Sequence, residues 1–119
     1  MSTLRLFHNP RCSKSRAALA AVQEAGVAVQ VVEYLKTAPT RAELLDLLAK
    51  LEDPPSALVR RDPAFREAGL SDADVQTAEQ VADVLTAHPA LLERPVLVRA
   101  DRAIIGRPTE RVAPFLAGA

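Results

Sequence analysis

Apolar and polar positions divide the chain into three stretches of different rhythm. Thr3 to Phe7 is a short apolar run closed by His8-Asn9-Pro10, the pattern of a buried strand stopped at a proline. From about Cys12 to Ala25 the spacing turns helical, with Ala18, Val22 and Ala25 on one face and Gly26 suited to a cap. Val27 to Tyr34 is rich in valine and predicts a second strand. Strand, helix and strand in roughly 30 residues make a βαβ unit, which implies parallel pairing and a right-handed crossover.

The middle stretch predicts helices. Thr40-Arg41-Ala42-Glu43 is a capping box, in which the threonine oxygen accepts a backbone N–H while the glutamate reaches back. Leu44, Leu47, Leu48 and Leu51 then form one apolar stripe, and Pro54-Pro55 ends it. Short helical pieces are expected near Ser56 to Arg60 and Pro63 to Ala68, with Asp62 and Gly69 as start and stop signals. Thr77 to Gln80 is a second box, leading into Val81, Val84 and Leu85, and His88 beside Pro89 suits a helix end.

Strand patterning returns at the end. Val96-Leu97-Val98 and Ala103-Ile104-Ile105 flank Arg99 to Arg102 as an antiparallel hairpin. Pro108 suits the first turn of a short terminal helix, and Pro114 limits its length. The order βαβ, helices, ββα fits one α/β domain over residues 1–119 with a helical insertion at about 40–93.

Composition narrows the classes of function. Nearly half the residues are hydrophobic, which supplies a core without metal or disulfide staples. The 15 basic and 15 acidic side chains cancel, and the few aromatics offer no base-stacking platform, so nucleic acid is not an expected partner. No apolar run approaches the roughly 18 residues of a membrane span, so membrane association is not expected either. No apolar stripe is left over for obligate assembly, so a monomer is expected. A single cysteine cannot form an internal disulfide, and a reducing cytoplasm is the expected location.

That cysteine, Cys12, sits between Pro10 and the first turn of a predicted helix. A lone cysteine is commonly just a small core residue. Here, however, His8, Arg11, Lys14 and Arg16 are potential cations, Ser13 and Ser15 are hydroxyl donors, and a helix start aims N–H groups at the same place. Only the thiolate is a good nucleophile, and lowering a thiol pKa by two units takes about 2.7 kcal/mol of preferential stabilisation. A helix terminus contributes roughly 0.3–1 kcal/mol, up to about 2 when partly buried, so neighbouring groups must add the rest.

Several other chemistries are excluded by what is missing. Cys12-Ser13-Lys14-Ser15 lacks the second thiol of a Cys-x-x-Cys pair. The phosphate loop of cysteine phosphatases needs arginine where Ala18 stands. No nucleotide-binding glycine pattern and no zinc spacing occurs. If Cys12 is oxidised during turnover, an external thiol must therefore resolve it.

His8-Asn9-Pro10-Arg11-Cys12-Ser13-Lys14-Ser15-Arg16 resembles the N-terminal signature of the glutaredoxin-coupled arsenate reductase family. Tyr34 to Thr40 resembles the family's segment before its second helix. Leu58-Val59-Arg60, Glu93-Arg94-Pro95-Val96 and Ile105-Gly106-Arg107-Pro108 resemble its arginine motifs, so the likeness spans almost the whole chain. It implies a thioredoxin-like mixed four-stranded sheet with a helical insertion, and a cis-proline at Pro95. It further implies Cys12 as nucleophile, with Arg60, Arg94 and Arg107 binding the oxyanion and its adduct, and His8 and Ser15 supporting the thiolate. Arsenate would be the substrate, glutathione the co-substrate, glutaredoxin the protein partner, and no cofactor would be tightly bound. Two alternatives share the scaffold: another glutathione-dependent thiol oxidoreductase, or a redox-sensing regulator that binds RNA polymerase. The latter typically uses a Cys-x-x-Cys switch, against which Ser15 speaks.

Overall fold

Leu4, Leu6 and Phe7 of the first strand and the apolar residues of the terminal hairpin are buried, so the middle of the sheet is covered on both faces. The Val29–Val32 strand at its edge is part-exposed. The computed structural model describes residues 3–117. Strands β1 (Leu4–Phe7), β2 (Val29–Val32), β3 (Val96–Arg99) and β4 (Arg102–Ile105) form one sheet in the order β2-β1-β3-β4. β1 and β2 are parallel, with Leu4 opposite Val29, and the β1–β3 and β3–β4 pairs are antiparallel. This is the mixed, thioredoxin-like sheet that the sequence predicts.

Alternate side chains feed two cores. Leu4 and Leu6 of β1, Leu97 of β3 and Ile104 of β4 pack on one face against α1 (Ser13–Glu24) and α5 (Val112–Ala117), through Ala18, Val22, Val112 and Phe115. Phe7, Val96, Val98, Ala103 and Ile105 face the other way. They meet α2 (Arg41–Lys50) and α4 (Ala78–Ala87) through Leu44, Leu47, Leu48, Val81 and Leu85. The helical insertion is thus the second cover of the sheet.

Several boundaries differ from the pattern for physical reasons. α1 starts one residue later than expected because Cys12, with extended backbone (φ −94°, ψ 122°), is its N-cap. It ends at Glu24, so Ala25 is an exposed C-cap and not part of the buried stripe. Gly26 (φ +71°) then turns the chain in a conformation costly for other residues. β2 is shorter than Val27–Tyr34, because Glu33 opens a turn whose carbonyl accepts from Lys36 N (2.9 Å) and Thr37 N (3.0 Å). Leu51 leaves the helical stripe and bridges to Ala103 in parallel, and Glu52 N donates to Ala103 O at 2.9 Å, so this segment covers the β4 edge.

Both predicted capping boxes form: Thr40 with Glu43 (3.0 and 3.1 Å) and Thr77 with Gln80 (3.1 and 3.2 Å). A third, Ser71 with Asp74, was not anticipated and starts a 3-10 turn at Asp72–Asp74. The piece expected over Ser56 to Arg60 is a 3-10 turn, Pro55–Leu58, and α3 (Pro63–Glu67) is capped by Asp62 as predicted. Pro108 lies outside the terminal helix rather than in its first turn: it precedes a 3-10 turn, Thr109–Arg111, that leads into α5. Among the described residues, no helix is long and apolar enough to cross a membrane.

Candidate active site

Cys12 is fixed at the junction of β1 and α1 by a tight turn in which its N–H donates to Asn9 O at 3.0 Å. Asn9 fastens the loop at two further points: its Oδ1 accepts from Arg11 N (3.0 Å) and its own N–H donates to Ser15 Oγ (3.0 Å). Ser15 is fully buried, and its Oγ also bonds His8 Nδ1 at 2.7 Å. Burial pushes the His8 pKa below its ordinary value, aided by Arg16 and opposed by Glu33 and the Ser15 bond. At neutral pH the ring is therefore uncharged. It braces the loop through Ser15 rather than serving as one of the cations that the sequence suggested.

The thiol is largely buried, which by itself would favour the neutral form. The N–H groups of Ser15 and Lys14 and the Arg94 guanidinium outweigh that, and the net shift is downward. Cys12 makes no aligned cap hydrogen bond, and the first turn of α1 holds no acidic residue, so these N–H groups are left to face the sulfur. Arg107 Nη2 lies 3.4 Å from Sγ, a second guanidinium against the same atom.

The arginines come from three loops stitched by backbone. Arg60 N donates to Leu91 O (2.8 Å) and Glu93 N to Leu58 O (2.7 Å) around an antiparallel Val59–Leu92 bridge. That ladder brings Arg60 beside Arg94. Gly106 N donates to Pro95 O (2.8 Å) and Arg107 Nε to Arg94 O (2.7 Å), which ties in the third loop. Arg94–Pro95 is cis, as the family likeness implied, and Arg107–Pro108 is cis as well. Carboxylates steady the ring of charge: Asp62 pairs with Arg60 (3.2 Å), while Glu93 Oε1 accepts from Arg94 N (3.2 Å) and lies 3.7 Å from Arg107.

Of the residues predicted for this site, Ser15 (through its N–H), Arg94 and Arg107 meet the Cys12 sulfur, and His8 joins them only through Ser15. Arg60 is one step back, ion-paired to Asp62, with no contact to the sulfur among the described bonds. Arg94 Nε and Nη1 are buried without a hydrogen-bond partner. Buried guanidinium donors are costly to leave unpaired, so this pocket is prepared for an anion. Among the described residues no cluster of His, Cys, Asp or Glu could hold a metal ion.

Comparison with known proteins agrees with this geometry. The model of the ArsC family matches residues 7–115. The chain belongs to the ArsC family. Among ArsC relatives, the arsenate reductase of Neisseria meningitidis is 40% identical over 118 residues, spanning 98% of this chain and 100% of that one. The arsenate reductase of Escherichia coli K12 is 34% identical over 117 residues, covering 98% of this chain and 82% of its own. An arsenate reductase structure from Vibrio cholerae superposes with a TM-score of 0.84 at 35% identity, covering 95% of this chain and 97% of that chain.

The sequence reading missed the parts of this ArsC site that carry no chemistry of their own. Asn9 and Asp62 act by bonds within their own loops and Glu93 reaches across to Arg107, and only the capping position of Asp62 was legible. Tyr34, which the sequence places at the end of a strand and the start of a motif, has its phenol buried among Arg94, Arg60, Asn9 and Cys12.

Proposed function

We propose that the protein reduces arsenate to arsenite through a thiol–arsenate adduct on Cys12, with glutathione and glutaredoxin supplying the electrons. The observation that carries this reading is the pairing of an activated thiol with unpartnered guanidinium donors on Arg94. Planar guanidinium forks match the oxygens of a tetrahedral oxyanion with paired, charge-assisted bonds. Arg60 and Arg107 would share that anion with Arg94. His8 and Ser15 would hold the loop so that the thiolate faces it.

The steps balance. Cys12 sulfur attacks arsenic, an S–As bond forms, and one arsenate oxygen leaves as water. Glutathione thiolate then attacks Cys12 sulfur. The S–As electron pair stays on arsenic, which departs as arsenite, and Cys12 is left in a disulfide with glutathione. Glutaredoxin exchange restores the thiol, in keeping with the lack of a second cysteine. This chemistry needs a reducing compartment, so the cytoplasm is the proposed location, and the same reading takes the working unit to be a monomer with no resident cofactor.

The test is a coupled assay with glutathione, glutaredoxin and glutathione reductase, following arsenate-dependent NADPH oxidation. Wild-type protein should turn over, and Cys12→Ser should fall to the background rate. Equal rates in the two proteins would reject the assignment.

A further inference from the structure

The loop that carries Arg107 is clasped at both ends by one carboxylate. Asp53 follows the segment in which Leu51 bridges to Ala103 and Glu52 N donates to Ala103 O, so the helical insertion delivers it to β4. Its Oδ2 accepts from Ile105 N at 3.1 Å, where β4 ends. Its Oδ1 pairs with Arg111 Nη1 at 2.9 Å, and the same nitrogen donates to Ile105 O at 2.8 Å. Residues 105 and 111 are thereby closed into a ring, and Arg107 lies within the span. Surface ion pairs contribute little, but the Asp53 side chain is only 18% exposed and also satisfies the N–H of a buried residue. The loop's other described ties run to the Glu93–Pro95 loop and to Cys12. Asp53 holds it from the insertion side.

We infer that Asp53, through Ile105 and Arg111, is a positioning residue that holds Arg107 against the Cys12 sulfur. This rests on the reading that Arg107 works at Cys12. Neither Asp53 nor Arg111 has a described bond to Cys12, Arg60, Arg94 or Arg107, so the pair acts on the site through the course of the loop. Arg107 Nη2 is 3.4 Å from Sγ, and a small retreat of the loop breaks such a contact. The clasp keeps the loop from retreating.

The chain has one cysteine, so the pH midpoint of iodoacetamide alkylation reports on Cys12 alone. Arg107→Gln should raise that midpoint by about one pH unit, as loss of an adjacent opposite charge does. Asp53→Ala should raise it by about half a unit or more, because Arg107 is loosened. Removing a carboxylate would by its own charge lower a thiol midpoint, so a rise identifies the route through Arg107. Arg111→Met should act in the same direction, and it carries the test if Asp53→Ala does not fold, since it leaves the Asp53–Ile105 bond in place. Combined with Arg107→Gln, neither substitution should raise the midpoint further. Wild-type midpoints in the folded Asp53 and Arg111 variants, with only the urea midpoint lowered, would make the clasp purely structural and overturn the proposal. A further rise in the Arg107→Gln background would also overturn it, because the pair would then reach the thiol by another route. If Arg107→Gln itself leaves the midpoint unmoved, the role of Arg107 at Cys12 fails, and this proposal falls with it. The alkylation uses no arsenate, so its outcome is independent of whether arsenate is the substrate.

Discussion

At the scale of single residues, the charge on one sulfur decides the chemistry. Burial opposes ionisation of Cys12, and two backbone N–H groups and the Arg94 guanidinium reverse that preference. The rate of iodoacetamide alkylation should therefore rise with pH around a midpoint below the ordinary thiol range, and Arg94→Gln should move that midpoint upward. A wild-type midpoint at the free-cysteine value would contradict the geometry. Arg94→Lys keeps the charge but loses the planar fork, so kcat/KM for arsenate should fall about 10- to 100-fold, the worth of a charge-assisted hydrogen bond. An unchanged kcat/KM in that variant would show that charge alone suffices.

At the scale of elements, the site is a junction of loops, and Gly106 is where two of them press together. A Cβ there would lie 2.8 Å from Leu97 Cδ1 and 3.0 Å from Pro95 Cγ. Leu97 is fully buried between α1 and the sheet, so it has little room to give. Gly106→Ala should cost about 1–3 kcal/mol by overpacking, read as a lower urea midpoint. It should also reduce activity, because the bonds from Gly106 N to Pro95 O and from Arg107 Nε to Arg94 O span the same contact. A variant with wild-type stability and wild-type turnover would mean the two loops can separate without consequence.

At the scale of the whole molecule, the site titrates with the fold. His8 and Cys12 both have folded-state pKa values below their ordinary ones. For each, the contribution to stability is complete above the unfolded value and is lost as pH falls through the folded value. Urea midpoints should thus decline on acidification below about 6.5, the ordinary histidine value, and rise on the alkaline side as the folded Cys12 thiol ionises, levelling off once the unfolded cysteine ionises too. His8→Gln should flatten the acidic decline and Cys12→Ala the alkaline rise. If neither variant alters the pH profile of the urea midpoints, the site is not coupled to folding.

The sequence alone determined what depends on neighbours in the chain. Leucine spacing, Thr40 and Thr77 as caps, and the prolines and glycines set most elements, because periodicity and capping are local effects. The position of Cys12 at a helix start was equally legible. Strand ends were not, since the turn at Glu33 and the bridge from Leu51 to Ala103 depend on hydrogen bonds formed with the finished sheet. Nor could spacing separate Arg60, Arg94 and Arg107 from the other basic residues without the family likeness. Tertiary structure decided their convergence, the neutrality of His8 and the burial of Tyr34. Each depends on desolvation and on contacts between segments far apart in sequence, which exist only once both cores have closed over the sheet.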